Sequence, residues 1–189
     1  MTANEDGKIE SLKRSIRASF EASLPQAALR ASKIHFQNVI PGHWFSAAAS
    51  ECVKMYVDGH FYGAISISQA YIEALGKFIT ECHGDRPAKD VPFMWQRLTK
   101  RGIVSGEAQN AAIAILDNRN DFHHLNKEIE TDYQKLEVRG LECLTNLHII
   151  ESEVFSHSFV NGAIMPHNSR YWAEAKDNQS LVQVYLRNL

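Results

Sequence analysis

The sequence predicts an all-α fold, a bundle of about five to seven helices. Apolar residues recur every three or four positions along most of the chain, which is the period of an amphipathic helix. Glycine and proline, which break helices, number only 10 and 5 in 189 residues. The length suits one domain with a substantial core. We therefore predict a single domain over 1–189, with its core in about 43–158, a helical extension in 1–40 and a tail in 161–189.

Composition narrows the class of protein. With 44% hydrophobic and 22% charged residues, the chain resembles soluble globular proteins. No apolar run approaches the roughly 18 residues of a membrane helix, and the first residues lack the basic and apolar regions of a secretory signal. The cysteines are odd in number and far apart, without a CxxC pair, which favours the reducing cytoplasm: Cys52, Cys82 and Cys143. We expect a cytoplasmic protein that is not bound to a membrane.

The charge limits how the protein could bind nucleic acid. The formal net charge is −2, whereas proteins that live by non-specific phosphate contacts are usually basic. If the chain binds RNA, we expect the contact to be local, through a cleft.

The first elements are predicted from spacing. A polar start, 1–6, precedes apolar residues that share one helical face and predict a helix over about 7–23: Ile9, Leu12, Ile16 and Phe20. Pro25 suits the first position of a second helix, over about 25–38.

A central helical hairpin is predicted next. A stripe of small and apolar residues begins at His43 and ends at Asp58-Gly59, where glycine is a natural helix stop. A second helix covers 60–81. Because the turn between them is so short, the two helices must be antiparallel neighbours.

The remaining elements follow in order. Residues 83–90 are a loop, and 92–101 a short helix. Ser105 is the predicted N-cap of a helix that ends at about Arg119. After a polar stretch, a long helix is predicted over about 126–158. Residues 181–186 fit a short strand or a docked terminal helix equally well.

The polar stretch between the last two helices carries the chemistry. From Leu116 to Leu125 it combines a guanidinium, a carboxamide, carboxylates and two imidazoles. Such a cluster at the end of a buried element is costly to desolvate unless it serves a function. Arg119 can bind a phosphate through its fork of donors, and an imidazole such as that of His124 can move a proton near neutral pH. Together they suffice to cleave a phosphodiester without a metal.

Helical geometry constrains this set. Asn120 and His124 share a face, as do Arg119 and His123, whereas Arg119 and His124 lie about 140° apart on a straight helix. For both to meet one phosphate, the helix must break near Asn120–Asp121, or the Arg119 side chain must reach round. Asn and Asp are suitable residues for such a break.

The pattern Arg119-Asn120-x-x-x-His124 resembles the signature of the HEPN superfamily (higher eukaryotes and prokaryotes nucleotide-binding). The hairpin, with an acidic residue at Glu73, is similar to the leading helix pair of those domains, and the resemblance covers about 43–158. It implies an all-α fold and, in many members, metal-independent endoribonuclease activity. It also implies a homodimer through the motif region, with two motifs facing one cleft.

On this resemblance we hypothesise roles for single residues. His124 is the general acid or base, Arg119 binds the scissile phosphate, and Asn120 orients one of them. His123 could be the working imidazole in place of His124, and Glu73 could support the site by pairing with Arg119. Attack by a ribose 2′-OH would leave a 2′,3′-cyclic phosphate, so no metal and no cofactor are predicted.

Other interpretations remain open. The cations of the short helix are either a solvated face or a guide for an RNA backbone: Arg97, Lys100 and Arg101. The His123–His124 pair is a poor metal site, because neighbouring side chains on a helix diverge and no other ligand is suitably spaced. The cluster could also be structural, with Arg119 pairing with Asp117 or Asp121.

The predicted function is therefore an endoribonuclease of a defence, toxin or stress system, which an antitoxin could hold in check. The alternative is a non-catalytic module that binds a nucleotide or a protein such as a nucleotidyltransferase.

Overall fold

The fold is a mostly helical bundle, as predicted. The computed structural model describes residues 3–124, 126–127, 129–172, 174–175 and 178–187. Its helices are α1 (Ala3–Ala31), α2 (Ser46–Val57), α3 (Phe61–Cys82), α4 (Val91–Lys100), α5 (Gly106–Leu116), α6 (Arg119–His124) and α7 (Tyr133–Val154). The strands are β1 (Val39–Pro41), β2 (His157–Val160), β3 (Ala163–Pro166), β4 (Glu174–Ala175), β5 (Asn178–Val182) and β6 (Val184–Leu186), with a short 3-10 turn at Ser169–Tyr171.

The strands form only small antiparallel pairs in the described part of the chain: β1 with β6, β2 with β3, and β4 with β5. None of the described helices is both long and apolar enough to cross a membrane.

Helix α3 lies at the centre of the bundle and packs against α2, α4, α5 and α7. Its sequence is apolar or small on nearly every side, and Tyr71, Ile72 and Leu75 are fully buried. A helix that is apolar all round belongs in a core. The position of α3 matters because this helix carries Glu73, the partly buried acidic residue of the candidate site.

The α2–α3 hairpin is confirmed, and its turn is tied to α7. Gly59 has φ 84°, a left-handed conformation that favours glycine. The Tyr133 hydroxyl donates a hydrogen bond of 2.8 Å to the Gly59 carbonyl oxygen. A Cβ at this position would lie 2.6 Å from that hydroxyl, so the turn requires glycine for both conformation and space.

The prediction of two N-terminal helices is wrong: α1 is one helix that continues through Pro25. Proline removes one backbone hydrogen bond from a helix and leaves the carbonyl group of Glu21 without its donor. Glu21 is exposed, so water can satisfy that carbonyl. Helix α1 also ends before residues 32–38, which are not helical.

The long helix predicted over 126–158 is shorter at both ends. Asp132 caps α7, because its carboxylate accepts hydrogen bonds from the backbone N–H groups of Gln134 and Lys135. Aspartate is a preferred N-cap residue, and this signal outweighs the apolar periodicity that continues upstream to Ile129.

The end of the helix predicted to reach residue 158 is instead strand β2, which belongs to a hairpin. Asn161 and Gly162 join β2 to β3 with φ of 51° and 80°. Two consecutive left-handed residues make the turn that matches strand twist, and Asn-Gly is its strongest sequence signal. That signal is present in the sequence and would have corrected the prediction.

The C-terminal segment is a strand, which decides between the two interpretations left open for 181–186. Strand β6 pairs with β1, and Arg187 follows it into the core. Its guanidinium donates to Glu151 at 2.5 Å and to the Ala49 carbonyl oxygen at 2.6 Å. Both side chains of the ion pair are almost fully buried. The pair therefore joins the residue after β6 to α2 and α7.

We expect Arg187→Ala to lower the free energy of unfolding by about 3–5 kcal/mol, since it leaves the buried Glu151 carboxylate without its counter-charge. Urea denaturation measures this. The double variant Arg187→Met with Glu151→Leu should recover most of the loss, and Arg14→Ala on the exposed part of α1 serves as the control. A loss below about 1 kcal/mol in Arg187→Ala would contradict the role of the pair.

Candidate phosphate-binding site

The site begins with a break between two helices. Helix α5 ends at Leu116, Asn118 adopts a left-handed conformation with φ 55°, and α6 starts at Arg119. Asparagine tolerates this conformation better than most residues. The break therefore comes just before Arg119 and not at Asn120–Asp121, which was one of the two alternatives considered.

Side chains from two other helices hold the end of α5. The Gln69 side-chain amide donates to the carbonyl oxygens of Ile115 and Asp117 at 3.1 and 3.2 Å. The Arg139 guanidinium donates to the carbonyl oxygen of Ala114 at 2.6 Å. The last carbonyls of a helix have no partners within it and carry partial negative charge, so an amide and a cation both suit them.

Neither Gln69 nor Arg139 was predicted as part of the site. Gln69 lies one helical turn before Glu73 on α3, and that spacing was a usable signal. For Arg139 the sequence holds no comparable signal, because its partner carbonyls lie 22 to 25 residues away in the chain.

Glu73 is shared by two cations. Its carboxylate accepts a hydrogen bond from the Arg119 guanidinium at 2.5 Å and another from the Lys77 ammonium at 2.6 Å. The suggested pairing of Glu73 with Arg119 is therefore present, whereas the alternative pairing of Arg119 with Asp117 or Asp121 is not observed among the described contacts. Lys77 was not predicted, although its position four residues after Glu73 is the favourable spacing for a helical ion pair.

Two groups at this site, Glu73 and His123, have shifted pKa values. The hydrogen bond from Lys77 and the nearby charge of Arg119 lower the pKa of Glu73, so this carboxylate is ionised at neutral pH. Partial burial and the charge of Arg119 lower the pKa of His123, and Glu73 opposes that shift. The charges of Glu73 and Arg119 therefore act on the His123 imidazole.

The positions of the side chains around α6 explain why Arg119 acts on His123. Since Arg119 and His123 are four residues apart on one helix, they share a face. Phe122 is buried, and the Tyr62 hydroxyl of α3 donates to its carbonyl oxygen at 3.0 Å. Asn120 and His124, again four residues apart, lie on an exposed face. Arg119 and His124 belong to the same short helix, about 140° apart around its axis.

A pocket of about 540 Å³ lies between the start of α4 and the α5–α6 break. It is open to solvent, and the Arg119 side chain is 37% exposed. Its lining residues are Lys89, Asp90, Val91, Pro92, Leu116, Asn118, Arg119, Asn120 and Asp121. Arg119 and Asn120 thus meet in one pocket, while His123 and His124 are not among its lining residues.

The cations suggested as an RNA guide lie elsewhere on α4. The pocket contacts the first turn of α4, whereas Arg97 and Lys100 lie in its last turn, about 10 Å further along the axis. Arg101 forms an ion pair with Asp85. The basic residue that this region contributes to the pocket is Lys89. It was not predicted, because it lies in a loop without periodicity.

Comparisons with models of protein families, with curated proteins and with solved structures found no match for this chain.

The electrostatic effect of Glu73 and Arg119 can be measured by NMR as a change in the pKa of His123. We expect its pKa to lie below 6.5, to fall further in Glu73→Gln, which removes a favourable charge, and to rise in Arg119→Met. Because the folded protein binds this proton less tightly than the unfolded chain, His123 costs stability as the pH falls below 6.5. Glu107→Gln, on the exposed first turn of α5, is the control. An unchanged titration in both site variants would show that these charges do not act on His123.

Proposed function

We propose that this protein is a cytoplasmic, metal-independent endoribonuclease of the HEPN type. The observation that best supports the proposal is a guanidinium fixed at the wall of an open pocket, on a six-residue helix that also carries two exposed histidines. Anion binding and proton transfer are the two capacities that cleavage by a ribose 2′-OH requires.

Arg119 is proposed to bind the scissile phosphate. The carboxylate of Glu73 contacts only its Nη2 atom, so the fork retains donors for a second anion. Lys77 neutralises part of the Glu73 charge, which reduces repulsion of the phosphate. As negative charge grows on phosphorus-bound oxygens, a fixed cation stabilises the transition state more than the ground state.

His124 is proposed to transfer the proton, with Asn120 beside it on the same exposed face. The imidazole takes the proton of the 2′-OH, whose oxygen attacks phosphorus. The bond to the 5′-oxygen breaks, and that oxygen receives a proton from a second acid. The products are a 2′,3′-cyclic phosphate and a 5′-OH, so no external oxidant, reductant or co-reactant is consumed.

Because the reaction needs a second acid, we also propose a homodimer through the motif region. One chain places Arg119 and Asn120 in the pocket, and its histidines lie outside that pocket. A second copy facing the same cleft would bring another imidazole to the phosphate. In such an arrangement the nuclease would need restraint in the cell, which is consistent with a toxin, defence or stress role and an antitoxin partner.

Cleavage of RNA in excess EDTA tests the assignment. We expect the wild-type protein to cut single-stranded RNA and leave cyclic phosphate ends. Arg119→Ala and His124→Ala should lower the rate by about 10²–10⁴-fold, the usual contribution of a positioned acid–base group. His123→Ala, with the same loss of one imidazole, is the matched variant. A large loss in His123→Ala with little loss in His124→Ala would transfer the acid–base role to His123.

A second function has its own supporting observation. Arg119 is already paired with Glu73, and the pocket beside it is lined by no imidazole of the described residues. These features suit a non-catalytic module that binds a nucleotide or a partner such as a nucleotidyltransferase.

Calorimetry with a mononucleotide distinguishes the two functions. If the module only binds, Arg119→Ala and Lys89→Ala should each weaken binding by about tenfold or more, the loss of one charge-assisted contact, while RNA remains intact in EDTA. His124→Ala should leave that binding unchanged. Cleavage that depends on His124 would exclude the non-catalytic function.

A further inference from the structure

Helix α1 stands away from the bundle over most of its length. Its last turn contacts the body, where the Arg30 guanidinium donates to the Val57 carbonyl oxygen at 3.2 Å and lies 5.0 Å from the centre of the Phe61 ring. Glu137 of α7 is 3.6 Å from the same guanidinium. Residues 5–26, the arm of α1, are exposed throughout. The arm is therefore anchored to the bundle through the C-terminal end of its helix.

The arm nevertheless carries an apolar stripe. Its side chains lie between 38% and 68% exposed and recur at spacings of three and four, which places them along one side of the helix: Ile9, Leu12, Ile16, Phe20 and Leu24. At about 100 Å² of open apolar surface per side chain, the stripe amounts to about 500 Å², the size at which an exposed patch on a monomer usually has a function.

We propose that the stripe binds the same stripe of a second copy of this chain, with the two α1 helices antiparallel. When the copies are centred on residue 18, Leu12 lies opposite Leu24 and Ile16 opposite Phe20. Every apolar residue from 12 to 24 on the stripe then meets another. If both stripes are fully covered, the pair would bury about 1,000 Å² of apolar surface from both copies, near the minimum for a biological interface.

Charge on one edge of the stripe fits the antiparallel register. This edge carries Lys13, Arg17 and Glu21. In an antiparallel pair, the edge of one copy faces the same edge of the other copy across the twofold axis. Glu21 of one copy then lies opposite position 15 of the other, between Lys13 and Arg17. The two copies of Arg17 are neighbours near the axis, and each also adjoins a Glu21. Opposite charges at such flanking positions set the orientation of paired helices.

A parallel pair lacks this complementarity. It would bring the charged edge against the other edge of the stripe, where the residues between 12 and 24 are uncharged: Ser15, Ser19 and Ser23. A membrane surface fits poorly as well, because helices that bind membranes carry mostly basic residues beside the apolar face, and here Glu10 and Glu21 alternate with the cations. The second copy is the occupant that both charge and register favour.

Sedimentation equilibrium at about 50 µM protein tests the pairing. This concentration is well above the dissociation constant of a modest specific interface. We expect Ile16→Glu with Phe20→Glu to halve the mass of the wild-type assembly and to weaken association by about 100-fold or more, since the carboxylates would be buried. Leu29→Glu is the matched control. It replaces another exposed apolar residue of α1, but one that lies about 160° from the centre of the stripe, and it should leave the mass unchanged. A monomeric wild type, or equal effects of control and stripe variants, would overturn the proposal.

Charge exchange tests the register. Glu21→Lys makes every charge on the edge positive. It should weaken association by about tenfold or more, because several ion pairs of modest strength between the copies would be lost together. Adding Lys13→Glu and Arg17→Glu restores opposite signs and should restore association. Ala18→Lys, which adds a lysine on the side of the helix opposite the stripe, is the control. Failure of the triple exchange to restore association would contradict the register.

Disulfide formation tests orientation in a Cys82→Ser background, since Cys52 and Cys143 are buried. A mixture of Leu12→Cys and Leu24→Cys chains should cross-link under mild oxidation. Leu12→Cys alone should not, because the two copies of residue 12 lie about 18 Å apart in the antiparallel pair. Cross-linking of Leu12→Cys with itself would show a parallel pair and overturn the proposal. None of these tests uses RNA cleavage, so they do not depend on catalysis. A dimer through the motif region alone would leave the mass the same in the stripe variants and in the control, which distinguishes it from pairing of the stripes.

Discussion

The carbonyl groups at the end of α5 are bound by side chains of α3 and α7, and the geometry of the site follows from this. Gln69 and Arg139 hold the chain where Asn118 turns into the left-handed region. The next helix must then start at Arg119, so its first residue faces α3. A continuous helix through this point would carry Arg119 in another direction. The position of the guanidinium is therefore decided by how one helix ends.

In the proposed function, the ion pair of Arg119 with Glu73 has two consequences for phosphate binding. It fixes the guanidinium at the pocket wall, which lowers the entropy lost when an anion is bound. It also places a carboxylate near the anion, which a phosphate must tolerate. Lys77 reduces that second effect because it shares the same carboxylate. The three residues form a unit whose net charge stays positive.

Much of the fold could be predicted from local pattern. The α2–α3 hairpin, α4, and the Ser105 cap of α5 agree with prediction, because periodicity, a glycine stop and an N-cap residue act over a few positions. The errors arose where a cap or turn competed with periodicity, as at Asp132 and Asn161-Gly162. The buried Arg187–Glu151 pair joins residues 36 positions apart, and no local pattern encodes such a contact.

The sequence by itself determined the residue types of the candidate site, and it placed Arg119, Asn120 and both histidines within six positions. It also determined the apolar stripe of α1, because helical spacing alone defines a face. Only the tertiary structure decided that the stripe remains uncovered by the described part of the chain, that Lys77 and Gln69 join the site, and that the charges of Glu73 and Arg119 act on His123. These outcomes depend on where helices end and how they pack. Both are decided by contacts between residues that are far apart in the sequence.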